Sequence, residues 1–394
     1  NSSVISLLIN LFVGISVGAN VVIANYIGQG KTEKIQDAVH TVMIISLISG
    51  VFLLVLGLMI ARPILEIMGT PENVIDLAVL YLHIYFLGMP FLMIYNFGAA
   101  VLRSKGDTKR PLYCLIISGV INACLNLLFV IVFKLSVAGV AIATVIADGV
   151  SAVLIIYFLM NEEETIRLRL NKLKIKKSEL IKVIKIGVPA GLQGVVFSVS
   201  NVCIQTAINS FGSDVIAGYS AAIKLNTFAI TSFSTLGNAM SSYTAQNTGA
   251  RKLLRIPEGL KAGIVMLIVV SLPFFIAYFV FPNTMMNIFV KSSEAGIIDV
   301  GRIFLKIVTP FYFVISAKLT FDGILRGAGR MRAFMASTFT DLLLRVILAY
   351  VFSYALNSEV GIWLSWPVGW TIAAVISAVF YFIYYKTTIK NGAN

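Results

Sequence analysis

Leu102-Arg103-Ser104-Lys105-Gly106-Asp107-Thr108-Lys109-Arg110-Pro111-Leu112 lies between two long apolar runs and returns, 223 residues on, as Leu325-Arg326-Gly327-Ala328-Gly329-Arg330-Met331-Arg332. Leu, Arg and Gly stand in register in the two copies. Each copy places a glycine where the chain must reverse sharply, beside cations that belong in water next to a membrane. Pro111 follows the first copy and suits the opening turn of a helix. The stretch therefore predicts a membrane protein that is duplicated and has a defined orientation.

Composition agrees. Of 394 residues, 58% are hydrophobic and 12% charged, and the mean hydropathy is +0.91. A soluble domain does not need so much apolar surface, whereas a bilayer-spanning helix needs about 20 apolar residues in a row. Eleven apolar segments follow one another: 4–28, 38–61, 77–102, 111–133, 137–160, 183–211, 217–247, 259–281, 299–325, 333–356 and 361–385. None alternates as a barrel strand does, and the connections are short. The exception is Asn161 to about Lys182, where Glu162-Glu163-Glu164 precedes Arg167, Arg169, Lys172, Lys174, Lys176 and Lys177.

The net charge of +13 raises the question of nucleic acid, and the distribution of the cations answers it. Counted over alternate connections, 23 of the 31 lysines and arginines fall on one side and 3 on the other. Topology accounts for the charge, and the basic side is expected to be cytoplasmic. Cys114, Cys124 and Cys203 lie in apolar runs without metal-ligand spacing and read as packing residues, as do the isolated His40 and His83. No catalytic dyad or metal cluster is legible. The glycines of the basic loops lack the strand–helix setting of a phosphate-binding loop. An enzyme, a membrane scaffold and an ATP-driven pump are disfavoured accordingly.

The duplication extends past the opening stretch. Tyr81-Leu82-His83-Ile84 maps onto Phe304-Leu305-Lys306-Ile307, and Ala24, Gly28, Lys31 and Ile35 map onto Ala245, Gly249, Lys252 and Ile256. Gly139 maps onto Gly361. Both copies put the same loops on the basic side, the mark of parallel repeats with a binding cavity between two lobes. The expected fold is all-α, two parallel-repeat helical bundles. Residues 1–160 form an N-terminal lobe (helices 2–6), 161–182 a basic linker, and 183–394 a C-terminal lobe (helices 7–12). The second half has six segments and the first five, so the repeat predicts eleven of twelve helices, one lying before Asn1.

Residues 102–111 followed by Ile121-Asn122-Ala123-Cys124-Leu125-Asn126 resemble the multidrug and toxic compound extrusion (MATE) family. So do Gly139-Val140-Ala141-Ile142-Ala143-Thr144, Gly187-Val188-Pro189-Ala190-Gly191, Leu325-Arg326-Gly327-Ala328-Gly329 and Gly361-Ile362-Trp363-Leu364-Ser365-Trp366-Pro367. The resemblance covers essentially the whole chain, from the family's second helix onward. It implies secondary active efflux of organic cations or amphipathic compounds in exchange for inward Na⁺ or H⁺, with no tightly bound cofactor. A lipid-linked oligosaccharide flippase has a similar helical plan and is the alternative. The expected partners are the bilayer and a small-molecule substrate, without nucleic acid, for a monomer in the cell's inner (plasma) membrane.

Ionisable residues inside spans are costly and call for a partner or a function. Asp148, Lys224, Lys318, Asp322, Asp341 and Arg345 are the embedded set. Lys318 and Asp322 are i,i+4, as are Asp341 and Arg345, with Arg326 one turn past Asp322. Each pair reads either as a stabilising internal ion pair or as transport machinery. Asp148 lies one turn beyond Thr144 with no cation on its own segment, which suits a protonatable or Na⁺-binding site; the other reading is a place near the outer leaflet edge or a hydrogen bond to a neighbouring helix. Asn122 and Asn126 form an i,i+4 polar pair. Family members place Asn then Asp there, with a sixth-helix Thr and a first-helix Asp, so here the resemblance implies Asn122, Asn126 and Thr144, with an amide replacing the acid at 126. Asn201, Gln205 and Asn209 make a stripe with Gln193 two turns earlier, suited to cavity lining or to bonds between helices.

Overall fold

The computed structural model describes residues 2–67, 72–163, 165–291 and 293–390, which form helices joined by short turns, with no strand among them. Glu164 of the acidic run lies outside the described residues. The helices are α1 (Ser2–Gln29), α2 (Thr32–Ile67), α3 (Glu72–Leu87), α4 (Met89–Lys105), α5 (Lys109–Leu127), α6 (Ser136–Met160) and α7 (Lys177–Ile208). They continue as α8 (Ser213–Gly249), α9 (Arg255–Phe275), α10 (Pro282–Met286), α11 (Ala295–Val308), α12 (Tyr312–Gly327), α13 (Met331–Leu356) and α14 (Val360–Tyr384). All eleven apolar segments are helical. Among the described residues eight helices are long and apolar enough to cross a bilayer, nine if the pair α3 and α4, bent by 40°, counts as one span. Segment 217–247 lies within α8, which is long but more polar, and 299–325 is divided between α11 and α12 at Thr309-Pro310.

Two compact units divide the chain, Asn1–Gly194 and Val195–Asn394. By compactness the division falls inside α7, whereas the sequence reading draws its boundary at the 161–182 linker.

In the first unit α4 is the central helix. Met89, Met93, Phe97, Ala99, Ala100, Val101 and Leu102 are fully or almost fully buried along it. By contrast α5 exposes Leu112, Ile116, Val120 and Leu127, as a helix facing lipid does. Close approach of α1 to the first part of α7 depends on two pairs of glycines. A Cβ at Gly18 would lie 2.5 Å from both Gly187 N and Val183 O, and one at Gly14 would overlap Gly191. The Gly187–Gly191 motif is therefore a packing device, small residues four apart that let backbones touch. The bend between α3 and α4 follows from Gly88 and Pro90, because proline brings no N–H to the ladder.

The second unit has an aromatic core. Trp363 stacks on Tyr219 with centroids 5.2 Å apart and meets Phe304 edge-on, also at 5.2 Å. Trp366, Trp370, Phe233 and Tyr312 complete it. Helices α8 and α12 touch through Gly237, Gly323 and Gly327; a Cβ at Gly237 would sit 2.6 Å from Leu319 O. Gly323→Leu is expected to force these helices apart, at the cost of about 1–3 kcal/mol usual for overpacking. A lowered unfolding temperature in detergent would register it, while Gly119→Leu, with nothing within 4 Å of its Cβ, leaves the temperature unchanged or higher.

The repeat is visible in the backbone. Gly106 and Gly329 both end their helices with positive φ, +97° and +72°. Their hydrogen bonds match: Gly106 N–H donates to Arg103 O and Asp107 N–H to Leu102 O, as Gly329 N–H does to Arg326 O and Arg330 N–H to Leu325 O. Gly30 and Arg251 form a second matching pair of left-handed turns, and Lys134 and Asn357 a third.

The opening stretch is also pinned by charge. Asp107 accepts the backbone N–H groups of Lys109 and Arg110, satisfying the first turn of α5. Arg110 bonds both Asp107 and Glu162, while Lys105 Nζ lies 3.3 Å from Glu162 Oε1 and 2.9 Å from Glu163 Oε2. Burial pushes the Glu162 carboxyl up, but the Glu163 N–H, Arg110 and Lys105 outweigh it and hold the group below its usual range. Asp107 is held low in the same way: burial raises it, and Arg110 with the Lys109 N–H more than offsets this.

Candidate functional site

In the first unit the polar residues of α5 and α6 come together. Asn126 Nδ2 donates to Asn122 Oδ1 at 2.9 Å, and Asn122 Nδ2 donates to Thr144 Oγ1 at 3.4 Å. The Thr144 hydroxyl in turn donates to Val140 O at 3.0 Å. Asn126 Oδ1 is buried without a hydrogen-bond partner. Spacing along each helix made the individual pairs legible; their joining across α5 and α6 is a product of packing.

Asp148 is half-buried, one turn past Thr144 on α6, and has no ion-pair partner among the described residues. Its carboxylate faces the break between α3 and α4, where a Cβ at Gly88 would sit 3.4 Å from Asp148 Oδ2. Glycine at 88 thus keeps the acid's surroundings open. The Tyr85 carbonyl oxygen lies 3.2 Å from that same Cβ position, a neighbour the sequence did not single out.

The amide stripe of α7 does not behave as one set. Gln193 is half-buried in the part of α7 that packs with the first unit. In the second unit Gln205 Nε2 donates to Asn209 Oδ1 at 2.9 Å, with Asn209 just past the helix in a 3-10 turn. Asn201 Oδ1 is buried without a partner.

The second unit buries a network of charge between α12, α13 and α14. Lys318 Nζ lies 2.8 Å from Asp322 Oδ2 and 3.9 Å from Asp341 Oδ2. Arg345 Nη2 is also 3.9 Å from Asp341 Oδ2. All four side chains are almost wholly buried. The i,i+4 spacing thus closes a tight pair on α12 and only a long one on α13, with Lys318 reaching toward both acids. Arg345 lies over Trp366, 4.6 Å from its ring centroid, and over Phe197 at 5.5 Å. Its Nε and Nη1 have no hydrogen-bond partner, and neither does Asp341 Oδ1.

Arg326, one turn past Asp322, turns away toward α8 and donates to Asn238 Oδ1 at 2.6 Å and Ser241 Oγ at 3.3 Å. Asp322 is bonded instead by Ser377 Oγ from α14 at 2.6 Å, and Ser377 joins Ser337. A serine in a long apolar helix gives no sequence signal of such a partner.

Among the described residues no three His, Cys, Asp or Glu side chains group as a metal site. The side-chain oxygens of Asn122, Asn126, Thr144 and Asp148 are hard donors. A sequence model of the MatE family matches residues 1–128 and 189–351.

The chain belongs to the MatE family.

That match takes in Asn122 and Asn126 and the four charged residues Lys318, Asp322, Asp341 and Arg345, and leaves Thr144 and Asp148 in the unmatched interval. A probable multidrug resistance protein of Bacillus subtilis, YoeA, is 29% identical over 92% of the MatE chain and 80% of its own length. A second from the same organism, YpnP, is 28% identical over 78% of the chain and 67% of its own length. The fold resembles that of a solved structure described as a multidrug resistance MATE family transporter of the MOP superfamily in an outward-facing conformation. The two superpose with a TM-score of 0.91 at 22% identity, over 99% of this chain and 87% of the other. The chain is accordingly a multi-pass membrane protein of a family whose named relatives are transporters.

Proposed function

We propose that this MatE protein is a secondary active exporter that moves organic cations or amphipathic compounds out of the cell in exchange for H⁺ or Na⁺ by alternating access. The observation that carries the reading is Asp148. It is a half-buried carboxylate in a membrane helix, without a cationic partner among the described residues, one turn along the same helix from Thr144, whose hydroxyl Asn122 bonds. An acid so placed exchanges a proton or holds a small cation more readily than one locked in an ion pair. The resistance-protein names of the relatives favour drug-like substrates over lipid-linked oligosaccharides. The excess of basic connections on one side supports an inner-membrane protein with those connections in the cytoplasm.

Vesicles carrying the purified chain test this directly. An imposed H⁺ or Na⁺ gradient is expected to drive movement of a cationic dye. Movement that persists with both gradients collapsed would defeat the coupling, and transport of a lipid-linked sugar without any dye would favour the flippase.

A further inference from the structure

The basic connection between α6 and α7 has a constrained backbone and an unexplained surface. Leu168 N–H donates to Leu159 O at 2.9 Å, and Arg169 N–H to His40 Nε2 at 3.2 Å. Thr41 then ties the next stretch twice: its hydroxyl donates to Lys174 O at 3.3 Å, and it accepts Lys176 N–H at 3.0 Å. Ile166 and Leu168 are buried in the core of the first unit. The connection is therefore a built part of that unit rather than a loose tether.

Past Leu168 the apolar side chains turn outward. Leu170, Leu173 and Ile175 are 56%, 40% and 43% exposed. They alternate with cations: Arg167, Arg169, Lys172, Lys174, Lys176 and Lys177 occur within 165–177, and no acid does. Lys176 pairs with Asp37 at 3.5 Å, and Arg167 Nε donates to Met160 O at 2.9 Å. Lys172, Lys174 and Lys177 are exposed and have no ion pair among the described residues. The exposed aliphatic side chains cost free energy in plain water, whereas the lysines among them are well hydrated there. They fit a headgroup layer, where the aliphatic groups enter the acyl boundary and the ammonium groups meet phosphates. The segment joins the ends of two membrane helices, and that layer lies there.

We propose that residues 167–177 are an interfacial anchor for anionic lipid: Leu170, Leu173 and Ile175 insert at headgroup depth while Lys172, Lys174 and Lys177 hold the phosphates of the bilayer surface. This assigns to the segment a binding role beyond setting orientation, which needs only charge and no exposed leucines.

A nitroxide at position 173 tests the proposal. It is attached through Leu173→Cys, with Cys114, Cys124 and Cys203 replaced by alanine, in vesicles of phosphatidylcholine with or without phosphatidylglycerol. With phosphatidylglycerol present, the label is expected to collide more often with oxygen than with a water-soluble nickel chelate. The reverse ratio would overturn the anchor. In the variant Lys172→Gln/Lys174→Gln/Lys177→Gln the difference between the two lipid mixtures is expected to vanish; its persistence would overturn the role of the lysines. Acetylation of the unlabelled natural chain is an independent reading. Lys172, Lys174 and Lys177 are expected to be protected in phosphatidylglycerol vesicles relative to phosphatidylcholine ones, and equal reactivity in both counts against the proposal.

Discussion

Asp322→Asn is expected to destabilise the protein by about 3–5 kcal/mol, the cost of leaving one partner of a buried ion pair without the other. The amide keeps the shape of the acid and can still accept from Ser377. What it removes is the charge 2.8 Å from Lys318 Nζ, in surroundings that leave Lys318 almost no contact with water. Asp341 is a poor substitute, because it lies 3.9 Å away and also faces Arg345 at the same distance. The double variant Lys318→Met/Asp322→Leu removes both charges and retains Asp341 with Arg345. It is expected to unfold within about 1–2 kcal/mol of the natural chain, since an apolar replacement of a buried pair is often neutral or better. Denaturation in detergent followed by circular dichroism measures both. If the double variant proves as unstable as the single one, the energetic account of the network fails and a transport role for the pair gains weight.

The second large effect is expected at Asp148. Asp148→Asn should strongly depress gradient-driven dye movement, because the amide neither exchanges a proton in the physiological range nor carries charge for a cation. Unfolding should scarcely change, because no ion pair among the described residues is broken. Asp148→Glu restores a carboxyl and is expected to recover part of the transport. Loss of stability with loss of transport would show that the acid braces α6 against the α3–α4 break, and undiminished transport in the amide variant would remove Asp148 from the mechanism. The two experiments separate the units: the first tests whether Asp322 serves architecture, the second whether Asp148 serves movement.

Much of the fold was legible because a bilayer imposes a strong code. A helix facing lipid must satisfy its own backbone and present apolar side chains, so length and hydropathy mark the spans without knowledge of any partner. The repeated turn was legible for a similar reason. Gly106 and Gly329 stand where the backbone needs positive φ, and the local hydrogen bonds follow from that alone. The breaks at Gly88–Pro90 and Thr309-Pro310 likewise arise from residues that cannot continue a helix without loss.

The candidate sites were legible only as inventories. Spacing nominated Lys318 with Asp322 and Asp341 with Arg345, yet the first pair closes to 2.8 Å and the second only to 3.9 Å, with the Arg345 guanidinium lying over Trp366 and Phe197. Arg326 stands at the right interval to join Asp322 and joins α8 instead. Ser377 carries no local signal and supplies a short bond to Asp322.

The opening stretch shows where the division lies. Its own residues determine the helix end, the left-handed glycine, the capping of α5 by Asp107 and the side of the membrane that its cations prefer, all consequences of local sterics and of charge against lipid. Its clamp on Glu162, like the meeting of Asn122 with Thr144 and of Asp322 with Ser377, was decided by the tertiary structure. Those contacts join residues tens of positions apart, and their existence depends on which helix faces pack together, a property no single helix carries in its sequence.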